Sequence, residues 1–464
     1  MAKVLKNAFQ SLMIKDAPSY ANKLFYSLGF LSMVCFMVLI ATGVIMAFYG
    51  PDWWLTDTVG KYLRSVHLWA TQAFVILVIL HLLVVFFTSA FKKPRRLTWV
   101  IGVLMMIFVL VEAEFGFVLR GDFSSQWRSL QGADFYNGSG LGYWLNNLSY
   151  KQIYGIHLAV IPFLIIGLLF MHYLLVRVLG IAKPYRADVQ VKTVPANHKL
   201  LFARGGVLIV LILGLAYFLP SPFIKPTTIQ EVAQADPALT AKTLVGEFDK
   251  SSDTATYQDN IAPYTFDTAS VFIYGPYQQL VSANPNFTNR LVVFQSESSD
   301  KQAQQLKDAA AFFDSWDGKS ALPQNNPAIL MVGSLVAMSQ AGLYEPALAA
   351  ANAQAKPSDT STYVLRFLSD SGVLEDKATG LNLTTDQYGM LHEESGKTLG
   401  AWWLAPIGVL NHTVLSNDDN GDRDAAIIFG SFFILLLVFP FVPILNRLPD
   451  WLKVYRLIWH QKKL

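Results

Sequence analysis

The chain has 464 residues, 53% of them hydrophobic and only 15% charged, against roughly 25% charged in an average soluble domain, which excludes a wholly soluble globular protein. A single cysteine, Cys35, excludes a disulfide framework, a CxxC zinc site, a thiolate-held iron–sulfur cluster and CxxCH attachment within the chain, so any metal must be held by histidine or carboxylate. The formal net charge of +3 is too small to point to nucleic acid.

Six apolar runs approach the ~20 residues that cross a hydrocarbon core of about 30 Å. They cover residues 28–49, 63–87, 97–118, 153–179, 203–220 and 425–444. The first is too long for a cleaved leader and lacks a small-residue cleavage site after it, so it is expected to remain as a helix. Residues 221–424 are polar and carry 24 acidic against 12 basic side chains, a net of −12, so the rest of the chain carries +15. The basic residues gather at alternate helix ends: Lys3, Lys6, Lys15 and Lys23; Lys92, Lys93, Arg95 and Arg96; Lys183, Arg186, Lys192 and Lys199; Arg447, Lys453, Arg456, Lys462 and Lys463. Six crossings put all four groups on one face, which the positive-inside rule makes cytoplasmic. The expected organisation is a membrane domain over 1–200, a fifth span over 201–220, an acidic outer-face (periplasmic) domain over 221–424, and a sixth span with a basic tail over 425–464. Both termini are then cytoplasmic, in a bacterial-type inner membrane.

Four of the eight histidines fall inside predicted spans: His67 and His81 in the second, His157 and His172 in the fourth. Fourteen residues of helix turn about 1400°, some 40° short of four turns, and fifteen turn about 60° past four turns, with rises of about 21 and 22 Å. Each pair therefore faces one side of its helix at two depths. With the two helices antiparallel, His67 and His157 share the outer depth and His81 and His172 the inner one. Isolated polar residues bonding across helices are the plain alternative, but four in this double register fit two stacked bis-histidine haems between bundle helices. Glu-x-x-His pairs of a di-metal carboxylate site do not accompany these helices.

Gly29 and Gly43 in the first span are fourteen apart, as are Gly102 and Gly116 in the third. Without a Cβ they let a flat ring approach the backbone, although glycine also serves plain helix packing in membranes. Glu112 and Glu114 lie near the outer end of the third span. Either is a candidate proton acceptor; a water-boundary residue, or one paired with Arg120, is the other reading.

The stretch RSVHLW from Arg64, the ILH at His81, the AFKKPRRLTWVIGV run from Ala90 and the MHYLLVRVLG ending at Gly180 resemble the four-helix dihaem N-terminal half of cytochrome b, the core of quinol-oxidising bc-type complexes and their photosynthetic counterpart. The resemblance covers about residues 20–185. It implies an all-α integral membrane fold: a four-helix dihaem bundle, two further transmembrane helices and a mainly helical outer domain. It also implies two haems b, the outer held by His67/His157 and the inner by His81/His172, with a quinone as substrate. Arg64 would serve a propionate of the outer haem, and Arg177 with the Lys92–Arg96 cluster the inner one. The fifteen-residue spacing in the fourth span is similar to the photosynthetic and menaquinol-using branch. The family's Pro-Trp pair after the third helix is replaced by Arg120 and Gly121 within GFVLRGDF, its Pro-Glu-Trp-Tyr motif is absent, and Ser27 stands where the photosynthetic branch has a haem-anchoring cysteine.

The expected function is that of a dihaem subunit in a quinol:acceptor oxidoreductase complex of the respiratory type, working with Rieske or c-type cytochrome subunits in the lipid bilayer, with homodimerisation left open. The rival is a haem-bearing anchor or conduit without its own quinone site. The AWWLAPIGVL run at 401–410 is too short to span and is expected on the membrane surface or against the bundle. His198, His392, His412 and His460 are expected at surfaces or interfaces.

Overall fold

Long apolar stretches leave the backbone no partner but itself in hydrocarbon, so they fold as helices. The computed structural model describes residues 16–182, 192–258, 267–284, 287–353, 361–418 and 420–458. Lys3, Lys6, Lys15, Lys183, Arg186, Lys462, Lys463 and His460 lie outside the described residues. Helix α1 spans Leu28–Tyr49, α2 Thr58–Phe87 and α3 Arg96–Val118. Asp57 caps α2 by accepting from Val59 and Gly60, so this helix begins earlier than the apolar run alone indicates. After α3 the chain forms α4, Phe123–Gly138, opened by a capping box between Asp122 and Ser125. It returns through α5, Tyr150–Leu179, and α6, His198–Phe218.

The extramembrane domain is helical. Its core gathers α7 (Pro237–Asp249), α8 (Ser299–Asp314), α9 (Pro327–Gln340) and α10 (Ser361–Asp370) around Phe272, Tyr277, Phe294, Phe313, Leu335, Tyr344 and Phe367. Phe123, Leu130 and Ala133 of α4, with Leu148, belong to the same core, so the segment between the third and fourth spans is part of this domain in space. Helix α9 and the helix Tyr344–Ala351 are apolar enough to form a span together, but they bend by 113° and are buried in that core. The chain re-enters the bilayer in α11, Gly421–Val438. The six spans lie where the apolar runs put them.

Lipid offers no hydrophobic drive between spans, so polar and close-packed contacts tie them. Trp69 Nε1 donates to Leu219 O at 2.8 Å, Tyr62 Oη to Leu213 O at 3.1 Å and Arg204 to Ser27 Oγ at 2.6 Å, fixing α6 against α1 and α2. Trp99 Nε1 donates to Leu436 O at 2.7 Å and fixes α11 on α3. The AWWLAPIGVL run turns back onto the bundle. Gln72 donates to the carbonyls of Leu399 and Gly400 and accepts from Trp402 Nε1, and Trp403 packs on Phe117.

Inside the extramembrane core Glu247 and Asp370 share a hydrogen bond, with Ser252 donating to Glu247 at 2.8 Å and the Thr254 amide to Asp370 at 3.2 Å. Burial, chiefly, raises both carboxyls above their ordinary range. A raised carboxyl binds its proton more tightly folded than unfolded. Its stabilisation is complete below the ordinary carboxylate range and is lost as pH rises through the folded value. Over that window the wild type is expected to lose up to about 1.4 kcal/mol per pH unit, whereas Glu247→Gln flattens the loss. Thermal unfolding followed across pH measures this, and parallel slopes in the two proteins would refute it.

Candidate functional site

The four histidines of the spans stand at two depths. His67 on α2 and His157 on α5 face each other at the end nearest the extramembrane domain, with ring centroids 6.3 Å apart and planes at 67°. Thr42 Oγ1 lies 2.8 Å from His67 Nδ1 and itself donates to Val38 O, so it accepts the proton on Nδ1. His157 Nδ1 faces two acceptors, Glu112 O at 3.2 Å and Glu112 Oε1 at 3.1 Å. Both Nδ1 atoms are thus donors, and both Nε2 atoms keep a lone pair free, the tautomer that a metal ligand needs. Two imidazoles coordinating one metal through nitrogens at about 2.0–2.1 Å place their ring centres about 6.3 Å apart. The observed separation meets that requirement.

The glycines explain how the rings get there. A Cβ on Gly43 would lie 3.5 Å from His67 Cε1, on Gly116 3.2 Å from His157 Cε1, on Gly29 3.2 Å from His81 Cε1 and on Gly102 3.4 Å from His172 Cε1. Each glycine therefore admits one imidazole edge. Helix α1 backs both histidines of α2, and α3 backs both histidines of α5. The flat rings that the glycine spacing anticipates are, at closest approach, the imidazoles themselves.

The fifteen-residue spacing on α5 is absorbed locally. Residues Ile156–Val160 form a π-type turn within the helix, which widens the winding to take one extra residue. The ~60° excess expected for a regular α-helix is thereby removed, so His157 and His172 present to one side as His67 and His81 do.

A cavity of about 320 Å³ lies at the domain-side pair, lined by His67, His157, Gly43, Gly116 and apolar side chains including Phe36, Leu39, Phe74 and Ile165. Its charged lining residues are Arg64, Arg120 and Glu112. Arg64 binds Asp122 at 2.5 Å and Pro222 O at 3.1 Å. Arg120 binds Asp122 at 2.7 Å, Pro222 O at 3.1 Å, Glu393, and Glu394 at 3.4 Å. Glu394 Oε1 in turn accepts from the Ser124 amide at 3.1 Å. Asp122 and Glu393 are fully buried. Burial raises the Glu394 carboxyl to about 7, with Arg120 opposing the rise and Asp122 and Glu393 adding to it.

The two glutamates of α3 part company here. Glu112 lines the cavity and holds His157 through Oε1, whereas Glu114 is buried near Arg128; each keeps its Oε2 without a hydrogen-bond partner. Neither has an ion pair with Arg120, whose partners are Asp122, Glu393 and Glu394. On the far side Lys92 pairs with Asp450, Arg95 donates to Leu179 O at 2.8 Å and Arg96 lies over Phe441. Arg177 sits five residues past His172 toward that end of α5. His392 bonds to Glu393 O, and His412 to Thr385 O while stacking on Tyr388, which makes both structural. Sequence reasoning missed Thr42, Asp122, Glu393 and Glu394. The last two sit more than 270 residues from Arg120 along the chain, and only their place just before the AWWLAPIGVL run hints at the bundle.

A helical bundle with two half-buried histidine pairs, each pair shared by two antiparallel spans, is that of a multi-pass membrane protein. The family described as cytochrome b (N-terminal)/b6/petB matches residues 72–232. Cytochrome b6 of Heliobacterium modesticaldum is 35% identical over 189 residues, 36% of this chain and 89% of that protein. Cytochrome b6 of Prochlorococcus marinus (strain NATL1A) is 31% identical over 196 residues, 37% of this chain and 88% of that protein. A solved structure titled "Hyperthermophilic respiratory Complex III" aligns at 16% identity and a TM-score of 0.37, over 69% of this chain and 90% of that one. The chain belongs to the cytochrome b N-terminal family, which binds haem b.

Removing the cation from a buried cluster leaves its carboxylates uncompensated. Arg120→Leu is expected to cost about 3–5 kcal/mol, read as a lower unfolding temperature in detergent, and Arg120→Leu with Glu393→Leu should recover part of it. Equal melting of wild type and Arg120→Leu would contradict the burial argument.

Proposed function

We propose that this chain is the dihaem cytochrome b subunit of a quinol-oxidising electron-transfer complex, with one haem b held by His67 and His157 and the other by His81 and His172. The observation that carries this reading is the domain-side pair: two imidazoles with occupied Nδ1 atoms, free Nε2 atoms and rings 6.3 Å apart. When bound, the haems supply reversible one-electron ferric/ferrous chemistry at two depths of the bilayer. Thr42 and Glu112 hold the imidazoles in the ligating tautomer. Gly29, Gly43, Gly102 and Gly116 admit the rings, and Phe36, Leu39, Phe74 and Ile165 exclude water. Arg64, Arg177 and the Lys92–Arg96 group supply positive charge where propionates would lie.

The positive-inside count supports placing residues 221–424 on the outer face, so His67 and His157 form the outer site. Electrons from a membrane quinol pass between this subunit and partner redox subunits of Rieske or c-type cytochrome character. Glu112 serves as the orienting acceptor for His157, which leaves Glu114, free of that duty, as the glutamate of α3 that takes up a quinol proton; each of the two keeps an unpartnered Oε2. The conduit without its own quinone site is the second reading. The buried ionic cluster at Arg120, where the resembled pattern has Pro-Trp, favours it.

Alanine at His67 or His157 is expected to abolish the outer low-spin b-type signal and leave about half the haem, and alanine at His81 or His172 the converse. Gly116→Val should behave as His157→Ala, because its side chain enters the space of that ring. Full haem content after any of these changes sinks the dihaem reading. Deleting Leu158 from the π-type turn is expected to preserve both signals, since fourteen residues of regular helix suffice on α2; loss of both would show that the wide turn does more than restore register. Glu114→Gln should slow quinol-driven haem reduction at unchanged haem content, and saturable protection by a quinone-site inhibitor separates the enzyme from the conduit.

A further inference from the structure

The ionic cluster around Arg120 joins three parts of the chain that the membrane bundle does not need for its own packing: the turn after α3, the strap at Pro222, and the loop carrying Glu393 and Glu394. It is also the charged wall of the domain-side cavity, through Arg64 and Arg120. Within it the two glutamates differ. Glu393 makes the close pair with Arg120, while Glu394 stands off at 3.4 Å from that guanidinium and takes a second hydrogen bond from the Ser124 amide. A proton on Glu394 therefore leaves the closest ion pairs, Arg120 with Asp122 and with Glu393, in place. Charge added in the cavity is felt at Glu394 through low-dielectric protein, by way of Arg120, which lines the cavity and lies 3.4 Å from that carboxylate.

We infer that Glu394 is a positioning residue that couples proton uptake from water on the domain side to the redox state of the domain-side centre, acting through Arg120 and Arg64. This rests on the reading of that cavity as a haem site. In the coupled step the centre gains one electron from a quinol or another one-electron reductant, ferric becoming ferrous. One proton from water forms an O–H bond on the Glu394 carboxylate; on reoxidation the same bond breaks and the proton returns. The charge added to the cavity is thereby offset on the far side of Arg120. By linkage, a proton on Glu394 favours the reduced centre as much as reduction favours the proton.

The groups facing Glu394 are Arg120 and Asp122 from the turn after α3, Glu393 beside it, Arg64 from α2 and Lys377 from the helix Val373–Gly380. His392 is turned away to the Glu393 carbonyl. Burial of the carboxyl, opposed by Arg120, brings its titration to about 7, within reach of physiological change.

The test is a redox titration of the full chain, following the two b-type signals by visible spectroscopy across the neutral range. In wild type the potential of the domain-side centre is expected to fall as pH rises through about 7, by up to about 59 mV for each tenfold drop in proton concentration. The far-side centre should stay nearly level. Glu394→Gln is expected to raise the domain-side potential and flatten its pH dependence while leaving both spectra and the far-side centre unchanged. A flat wild-type profile overturns the inference even if the variant does not fold. A variant slope equal to wild type, or an equal change at both centres, overturns it as well. Absence of any domain-side b-type signal in wild type defeats the haem reading itself, a result distinguishable from a centre that is present but indifferent to pH.

Discussion

The constraint from which the rest follows is the cost of an unsatisfied polar atom in hydrocarbon. A neutral imidazole brings two nitrogens into the bilayer, one donor and one acceptor, and water is not there to meet either. At the domain-side pair the donors are met by the chain itself: Thr42 takes the proton of His67, and Glu112 with its own carbonyl takes that of His157. The Nε2 atoms keep the lone pair that a metal ligand needs, on rings whose centroids lie 6.3 Å apart.

Helix packing is subordinate to that arrangement. Ordinary side chains on α1 and α3 would push the imidazoles out of line, so glycine stands at the four contact points. Because the glycines of α1 meet the histidines of α2 and those of α3 the histidines of α5, each of these two helix pairs carries one imidazole at each depth. The π-type turn beside His157 belongs to the same logic. A helix with one residue too many between its histidines winds wider for one turn, and the helix pays locally to keep both rings on one face.

The membrane half of this protein was legible because bilayers simplify sequence. Hydropathy located the six spans, and the paired spacings of His67/His81 and His157/His172 placed four side chains at two depths, since a helix converts sequence interval directly into angle and height. The same arithmetic found the four glycines: interval gives a face, and packing adds the protein neighbour each one meets, an imidazole edge. Outside the bilayer the conversion fails. Nothing in the spacing of Phe123 or Leu130 says that they join the core built from α7 to α10, and nothing links Arg120 to Glu393 before the chain is folded. Glu393 follows His392, expected at a surface or interface, yet is fully buried, because the run that follows it, Ala401–Trp403, is drawn back onto α2 and α3 by Gln72 and Phe117.

That return sets the character of the whole chain. A domain inserted between two spans has no need to touch the helices it interrupts, and a flexible tether at each end would serve for export alone. Here the domain delivers two carboxylates to an arginine that lines the domain-side cavity, and α4 begins its first turn at the same point through Asp122. Breaking either contact exposes a buried charge, so the domain and the bundle are energetically one body at this junction. An arginine in that position without the loop would face the cavity with a full positive charge and disfavour further positive charge there. With the loop docked, its charge is largely spent on the protein. The extramembrane domain therefore bears on the electrostatics of the domain-side cavity whether or not it docks anything else, and its attachment at Arg120 is the route by which it does so.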